Sequence, residues 1–266
     1  MGFFFDAVAN SDSIAYVDSA TFVTRGMDGL WDPAAPNGYS PGVLHNISGH
    51  FQAPGHHMYF FFNEAFSRNQ TLLTSGGVAY IDLVNTNNNV RALASLVGYI
   101  APYTYTTSDT FWPSIRKNFT YEMWIQKRLA DSQNFFSQFN EALRVRSNST
   151  SNVEIAVLNG MGNANISGSY PINTWMQFVF TMEDLGATND LFKVYKNGTL
   201  IYTDSTGNYT PSSAIWAATL ISTYNQGDNN GEYGAYWLGL MRSYTVPLTQ
   251  AEVTTNWNNT KSRFGL

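Results

Sequence analysis

Leu191-Phe192-Lys193-Val194-Tyr195-Lys196-Asn197-Gly198-Thr199-Leu200-Ile201-Tyr202 decides the fold class. Two runs of alternating apolar and polar residues flank Asn-Gly, whose backbone tolerates the positive φ at both central positions of a type I′ turn. This predicts a β-hairpin. Working outward, Phe119-Thr120-Tyr121-Glu122-Met123-Trp124-Ile125-Gln126 alternates with period two, so Phe119, Tyr121, Met123 and Ile125 share one face. Further strands are predicted at 78–82, 153–158, 174–182 around Trp175, 214–222 and 233–244. Residues 133–146 read either as one helical face or as two strands, Phe135-Phe136 and Leu143–Val145, joined at Asn140-Glu141; the all-β surroundings favour strands. One helix is signalled near the end. Thr249-Gln250-Ala251-Glu252 is a capping box, with Leu248 and Val253 at hydrophobic-staple positions, so a helix is expected over about 250–258 with Gly265 beyond it.

Composition agrees. Charged residues are 12% of the 266, about half the usual ~25%, and aromatics are 15%. A disordered chain would be charge-rich and aromatic-poor, and a coiled coil would be rich in Glu, Lys and Leu. The net charge of −5 and the sparse basic pairs, Arg116-Lys117 and Arg144 with Arg146, argue against nucleic acid, which needs a basic stripe. The absence of cysteine removes thiol catalysis, iron–sulfur ligation and thiolate zinc sites. No run approaches a membrane span.

The first 75 residues read differently from the rest. They hold all four histidines and the two triplets Phe3-Phe4-Phe5 and Phe60-Phe61-Phe62, and residues 31–42 are dense in turn formers. The division expected is therefore an irregular Phe- and Pro-rich segment over 1–75, serving docking or assembly, and a β-sandwich over 76–266. The start, Met1-Gly2-Phe3-Phe4-Phe5-Asp6, has no basic leader, so no signal peptide is expected. Eight N-x-Ser/Thr sequons occur, at Asn46, Asn69, Asn118, Asn148, Asn165, Asn197, Asn208 and Asn258. They mark glycosylation sites or simply reflect a composition that would yield roughly five by chance.

Four pieces in order carry a family resemblance: Val78-Ala79-Tyr80-Ile81-Asp82; Phe119-Thr120-Tyr121-Glu122-Met123-Trp124-Ile125; Trp175-Met176-Gln177-Phe178-Val179-Phe180 with Lys193-Val194-Tyr195-Lys196-Asn197-Gly198; and 236–244 followed by 248–264. Together they resemble the concanavalin A-like lectin/glucanase superfamily in its laminin-G-like form, of viral or phage type. The resemblance implies a two-sheet antiparallel jelly-roll sandwich, which here ends in a short C-terminal helix. It leaves function open, because lectins, glycosidases, adhesion modules and structural viral proteins share that fold.

Candidate chemistry must then come from residues. Glycoside hydrolysis needs two carboxylates facing one cleft. Glu122 and Glu154 stand alone in their strands, and the adjacent Glu183-Asp184 would point to opposite faces, so no enzyme activity is expected. His45, His50, His56 and His57 with Asp28 or Asp32 would suffice for zinc, although loop histidines explain the same pattern. No organic cofactor is expected. Calcium has a candidate ligand set in the turn-forming run 228–232, at Asp228, Asn230 and Glu232. Sugars pack their C–H faces on aromatic rings and bond their hydroxyls to Asn and Asp. Glycan binding is accordingly expected at Tyr103, Tyr105 and Trp112 and at Tyr224, Asn225 and Tyr233. Assembly contacts are expected at Phe3, Phe4, Phe5, Phe60, Phe61 and Phe62, since large apolar surface marks interfaces. These features favour a structural or adhesive virion component, bound to other proteins of a large assembly and to glycans. A soluble or extracellular lectin-like module is the alternative.

Overall fold

The Asn197-Gly198 turn has φ of 50° and 76°, the left-handed pair that the sequence predicts. In the computed structural model the described residues are 22–35, 39–40, 43–44, 58–61, 73–82, 92–95, 118–128, 130, 133–138, 144–147, 150–156, 163–186, 189–209, 219–221 and 236–266. Among them the strands are β1 (Met27–Trp31), β2 (Tyr39–Ser40), β3 (Val43–Leu44), β4 (Met58–Phe61), β5 (Leu73–Ser75), β6 (Val78–Asp82), β7 (Ala92–Ser95), β8 (Phe119–Lys127), β9 (Gln133–Gln138), β10 (Arg144–Ser147), β11 (Asn152–Ala156), β12 (Asn163–Ser167), β13 (Trp175–Glu183), β14 (Leu191–Lys196), β15 (Thr199–Asp204), β16 (Thr219–Ile221) and β17 (Tyr236–Tyr244). The helix α1 (Gln250–Thr260) follows, continued by a 3-10 turn at Lys261–Phe264.

These strands form two antiparallel sheets. One has eight strands in the order β15-β14-β13-β8-β17-β6-β5, with β1 also paired to β17. The other has nine, in the order β12-β11-β10-β9-β16-β7-β4-β3-β2. The fold is an all-β jelly-roll-like sandwich with one short C-terminal helix. Residues 133–138 and 144–147 are two paired strands, β9 and β10, so a single helical face across this stretch fails. Strands from before residue 76 enter both sheets: β1 joins β17, and β4 joins β7.

The alternation of β8 sets the core. Phe119, Tyr121, Met123 and Ile125 face the second sheet and meet Phe178, Phe180, Phe192 and Val194 from their own sheet and Val145, Val153 and Ile166 from the other. Each such side chain contributes about 1.5–3 kcal/mol by leaving water.

The opposite face of the eight-stranded sheet is also covered, so every residue of β8 is buried. Its cover is residues 22–30 and the C-terminal helix, which bring Phe22, Met27, Leu30, Leu248, Val253 and Phe264 against Trp124, Trp175, Val179 and Leu240. Thr249 caps α1 by accepting from the Glu252 N–H, while the Glu252 carboxylate accepts from the Thr249 N–H at 2.8 Å. Leu248 and Val253, the predicted staple, are both buried. Gly239 lies at an irregularity in β17, where a Cβ would come within 2.4 Å of the Phe264 ring. Only glycine lets that ring close onto the sheet.

Candidate functional site

Period two aims Thr120, Glu122, Trp124 and Gln126 away from the sandwich. Covered by α1, these polar groups need internal partners, and they have them. Glu122 Oε1 accepts from Arg242 Nη1 at 2.8 Å, from Gln177 Nε2 at 2.8 Å and from the Trp124 indole N–H at 3.2 Å. Its Oε2 accepts from Asn256 Nδ2 at 2.9 Å. Arg242 stands directly opposite Glu122 in the β17–β8 register, and neither side chain has any exposed surface. Arg242 also donates to Thr260 Oγ1 at 3.0 Å and lies 4.2 Å over the Phe22 ring. Asn256 Oδ1 accepts the Val23 N–H at 2.8 Å. The network ties the central strands to α1 and to residues 22–23. The Tyr244 phenol within it is pushed upward by burial first and by the Glu122 charge second.

A second buried pair closes the same cover. Arg263 grips Asp32 with two parallel hydrogen bonds, at 2.5 and 2.7 Å, and also donates to the Gly239 carbonyl at 3.3 Å. The Asp32 carboxylate, considered above as a zinc ligand, is therefore committed to a guanidinium.

A row of rings crosses this face. Trp257 and Phe264 stack on Trp124 at 5.2 and 4.3 Å. Phe264 touches Trp175 at 4.9 Å, Trp175 meets Tyr80 edge-on at 6.3 Å, and Tyr80 stacks on Trp237 at 3.9 Å. The row emerges from its cover at Trp237, which is half-buried. There the Arg128 guanidinium packs 3.9 Å from the ring centroid, and Arg128 Nη1 donates to Gln126 Oε1 at 2.7 Å. The Asn173 N–H bonds the Lys127 carbonyl at 2.7 Å, which sets the exposed turn Ile172-Asn173-Thr174 beside Arg128. Trp237 and Arg128 thus sit at the end of the sheet where residues 222–235 lead from β16 into β17.

The nine-stranded sheet offers another polar surface. Val145, Val153 and Ile166 face the core, so Arg146, Glu154 and Asn165, aligned across β10, β11 and β12, face outward. Arg146 Nη2 donates to Glu154 Oε2 at 2.8 Å. Glu122 and Glu154, two of the four carboxylates considered for hydrolysis, are thus engaged by arginines on opposite sides of the sandwich.

Most predicted site residues lie outside the described residues: Tyr103, Tyr105, Trp112, Tyr224, Asn225, Asp228, Asn230, Glu232, Tyr233, Phe3–Phe5, Phe62 and the four histidines. Phe60 and Phe61 belong to β4, opposite Leu93 and Ala92 of β7. Among the described residues no group of three His, Asp or Glu is placed to hold a metal ion, and no helix is long and apolar enough to cross a membrane. Sequence reasoning missed Arg128 with Trp237. Period two alone puts Trp237 and Arg242 on opposite faces of β17, and only the irregularity at Gly239 turns both outward, so no spacing in the sequence pointed to the pair.

Geometry of this kind, two antiparallel sheets with a capped helix closing one outer face, defines a jelly-roll sandwich of the lectin type. A sequence profile of the concanavalin A-like lectin/glucanases superfamily matches residues 100–254, more than half of the chain. The chain belongs to that superfamily. No curated protein matches the sequence. Among solved structures the fold is similar to the binding domain of botulinum neurotoxin DC in complex with rat synaptotagmin II, with a TM-score of 0.58 and 12% identity over 88% of this chain and 51% of that one. A structure on botulinum neurotoxin type C, whose cell entry depends on interaction with two ganglioside molecules, gives 0.56 and 12% over the same shares. A Trypanosoma rangeli sialidase mutant displaying trans-sialidase activity gives 0.60 and 11% over 95% of this chain and 35% of that one. The chain spans about half the length of the toxin domains and about a third of the sialidase. At such identities the likeness is one of fold.

Proposed function

We propose that this chain is a non-catalytic, lectin-like module that binds carbohydrate outside the cell. The observation that carries the reading is the emergence of the aromatic row at half-buried Trp237, beside Arg128 and at the root of the 222–235 stretch that holds Tyr224, Asn225 and Tyr233. Tyr80 and Arg128 take the two faces of Trp237, and the ring edge left beside the Arg128 donors offers a sugar an apolar rim and hydrogen bonds together. Sequence alone puts virion assembly first and glycan binding second. The fold relatives include toxin receptor-binding structures, one of them from a neurotoxin whose cell entry depends on interaction with two ganglioside molecules, and they support the second reading over the first. Virion and capsid roles draw no support from the fold or from these relatives. Binding without hydrolysis is consistent with Glu122 and Glu154 being held by Arg242 and Arg146.

A glycan array with the purified chain tests this. Binding to a defined glycan class is expected, weakened about tenfold or more by the double variant Tyr224→Ala/Tyr233→Ala with its melting temperature unchanged. An array with no bound glycan, or a folded double variant that binds as the native chain does, overturns the reading.

A further inference from the structure

Arg128 differs from the other guanidiniums that the structure describes in detail. Arg25 bonds Glu252, Arg146 bonds Glu154, Arg242 bonds Glu122 and Arg263 bonds Asp32. Arg128 has no carboxylate among the described residues. Its guanidinium carbon lies 3.9 Å over the Trp237 ring, and it gives one Nη1 proton to Gln126. The ring and the glutamine fix the guanidinium plane, so little side-chain freedom remains to be lost on binding. Its Nε and Nη2 donors make no hydrogen bond among the described residues, and they form a planar fork that matches two coplanar oxygens. Stacking on an aromatic face keeps the charge while excluding water from one side.

We infer that Arg128 on Trp237 is a receptor for a carboxylate-bearing sugar, and that the module prefers acidic glycans over neutral ones. This rests on the carbohydrate-binding reading and sharpens it. The carboxylate takes the Arg128 fork, and the sugar ring rests against the exposed rim of Trp237 and the Ile172-Asn173-Thr174 turn. The chain's net charge of −5 repels anions in general, so affinity for an acid must come from a local, preorganised cation such as this one.

The test compares sialic acid-terminated and glucuronic acid-terminated oligosaccharides with their carboxyl-methyl esters, binding each to the full chain by calorimetry. The native protein is expected to bind at least one acid about tenfold or more tightly than its ester, with the advantage shrinking as salt is raised. The two acids separate the two sources of carboxylate. Arg128→Gln is expected to erase the advantage, lowering acid affinity about tenfold and ester affinity much less. Arg128→Lys keeps the charge but loses the fork, and should retain only a small part of it. Melting temperatures check that both variants fold, and if Arg128→Gln does not, Arg128→Lys alone decides. Equal binding of acid and ester, or an acid preference that survives undiminished in either folded variant, overturns this inference while leaving glycan binding intact. No binding to any sugar, neutral glycans included, overturns both.

Discussion

Glu122→Gln is the sharpest probe of how the sandwich is held to its helix. The amide keeps one oxygen for the three donors now on Oε1, but it presents an N–H₂ group to Asn256 Nδ2, so donor faces donor. It also leaves Arg242 charged, with no exposed surface and no anion. Removing one member of a buried ion pair costs about 3–5 kcal/mol, a large part of the ~5–15 kcal/mol that holds a typical domain together. At roughly 2–4 °C per kcal/mol for a chain of this size, the melting temperature should fall by about 10 °C. Urea unfolding should show a lower midpoint at unchanged slope. The double variant Glu122→Leu/Arg242→Met removes both charges and should recover at least half of the loss. A single-variant loss below about 1 kcal/mol, or a double variant as unstable as the sum of its singles, would refute the account of this pair as the strut between β8, β17 and α1.

The helix cap gives a pH prediction. The hydrogen bond from Arg25 and the bonds from Thr249 pull the Glu252 carboxyl down from 4.5 to about 2. A depressed carboxyl stabilises fully above its unfolded value and loses that contribution as pH falls from about 4.5 toward 2. Because Arg25 is half exposed, the contribution is set at about 1 kcal/mol. Glu252→Gln preserves a capping residue but should flatten the stability loss across that window; an unchanged acid titration would count against it. Thr249→Ala should cost about 1 kcal/mol at pH 7 by urea unfolding. Gly198→Ala should cost about 2 kcal/mol, since φ is +76° and the new Cβ would meet Trp257 at 2.9 Å; a neutral result would show that the hairpin tip and helix can shift apart. Deleting residues 1–75 tests whether 76–266 is a separable sandwich. The deletion removes β1 and the Asp32 partner of Arg263, so an insoluble or molten fragment is expected, and a cooperatively folding one would instead support the division.

The strands were legible because period two and Asn-Gly chemistry are local. Phe119, Tyr121, Met123 and Ile125 do share the core face, and the T-x-x-E cap forms as written. The cover of the second face was not legible. Glu122, Gln126 and Gln177 look like solvent-facing residues in sequence, and they are buried by a cover drawn from residues 22–30 and a helix that starts more than 70 positions beyond Gln177. Their partners, Arg242, Asn256 and Thr260, are dispersed over the last strand and the helix, and no spacing rule connects them. The site suffered the same way. Tyr224, Asn225 and Tyr233 were singled out for composition, whereas Arg128 and Trp237 become neighbours only when β8 pairs with β17.

Burial on both faces of the eight-stranded sheet narrows where recognition can occur. One face is consumed by the sandwich core and the other by α1 and residues 22–30, so a ligand is left the outward face of the nine-stranded sheet or the end of the eight-stranded one. These two surfaces differ electrostatically. On the nine-stranded sheet Arg146 is answered by Glu154 across the strand, so an anion approaching it must compete with a carboxylate already in place, and a neutral ligand must open an ion pair. At the sheet end Arg128 is answered, among the described residues, by a ring and a neutral amide, and an incoming acceptor meets no described carboxylate there. The second arrangement is the one from which charge complementarity can still yield binding free energy, and the proposed recognition surface at Trp237 and Arg128 rests on that difference.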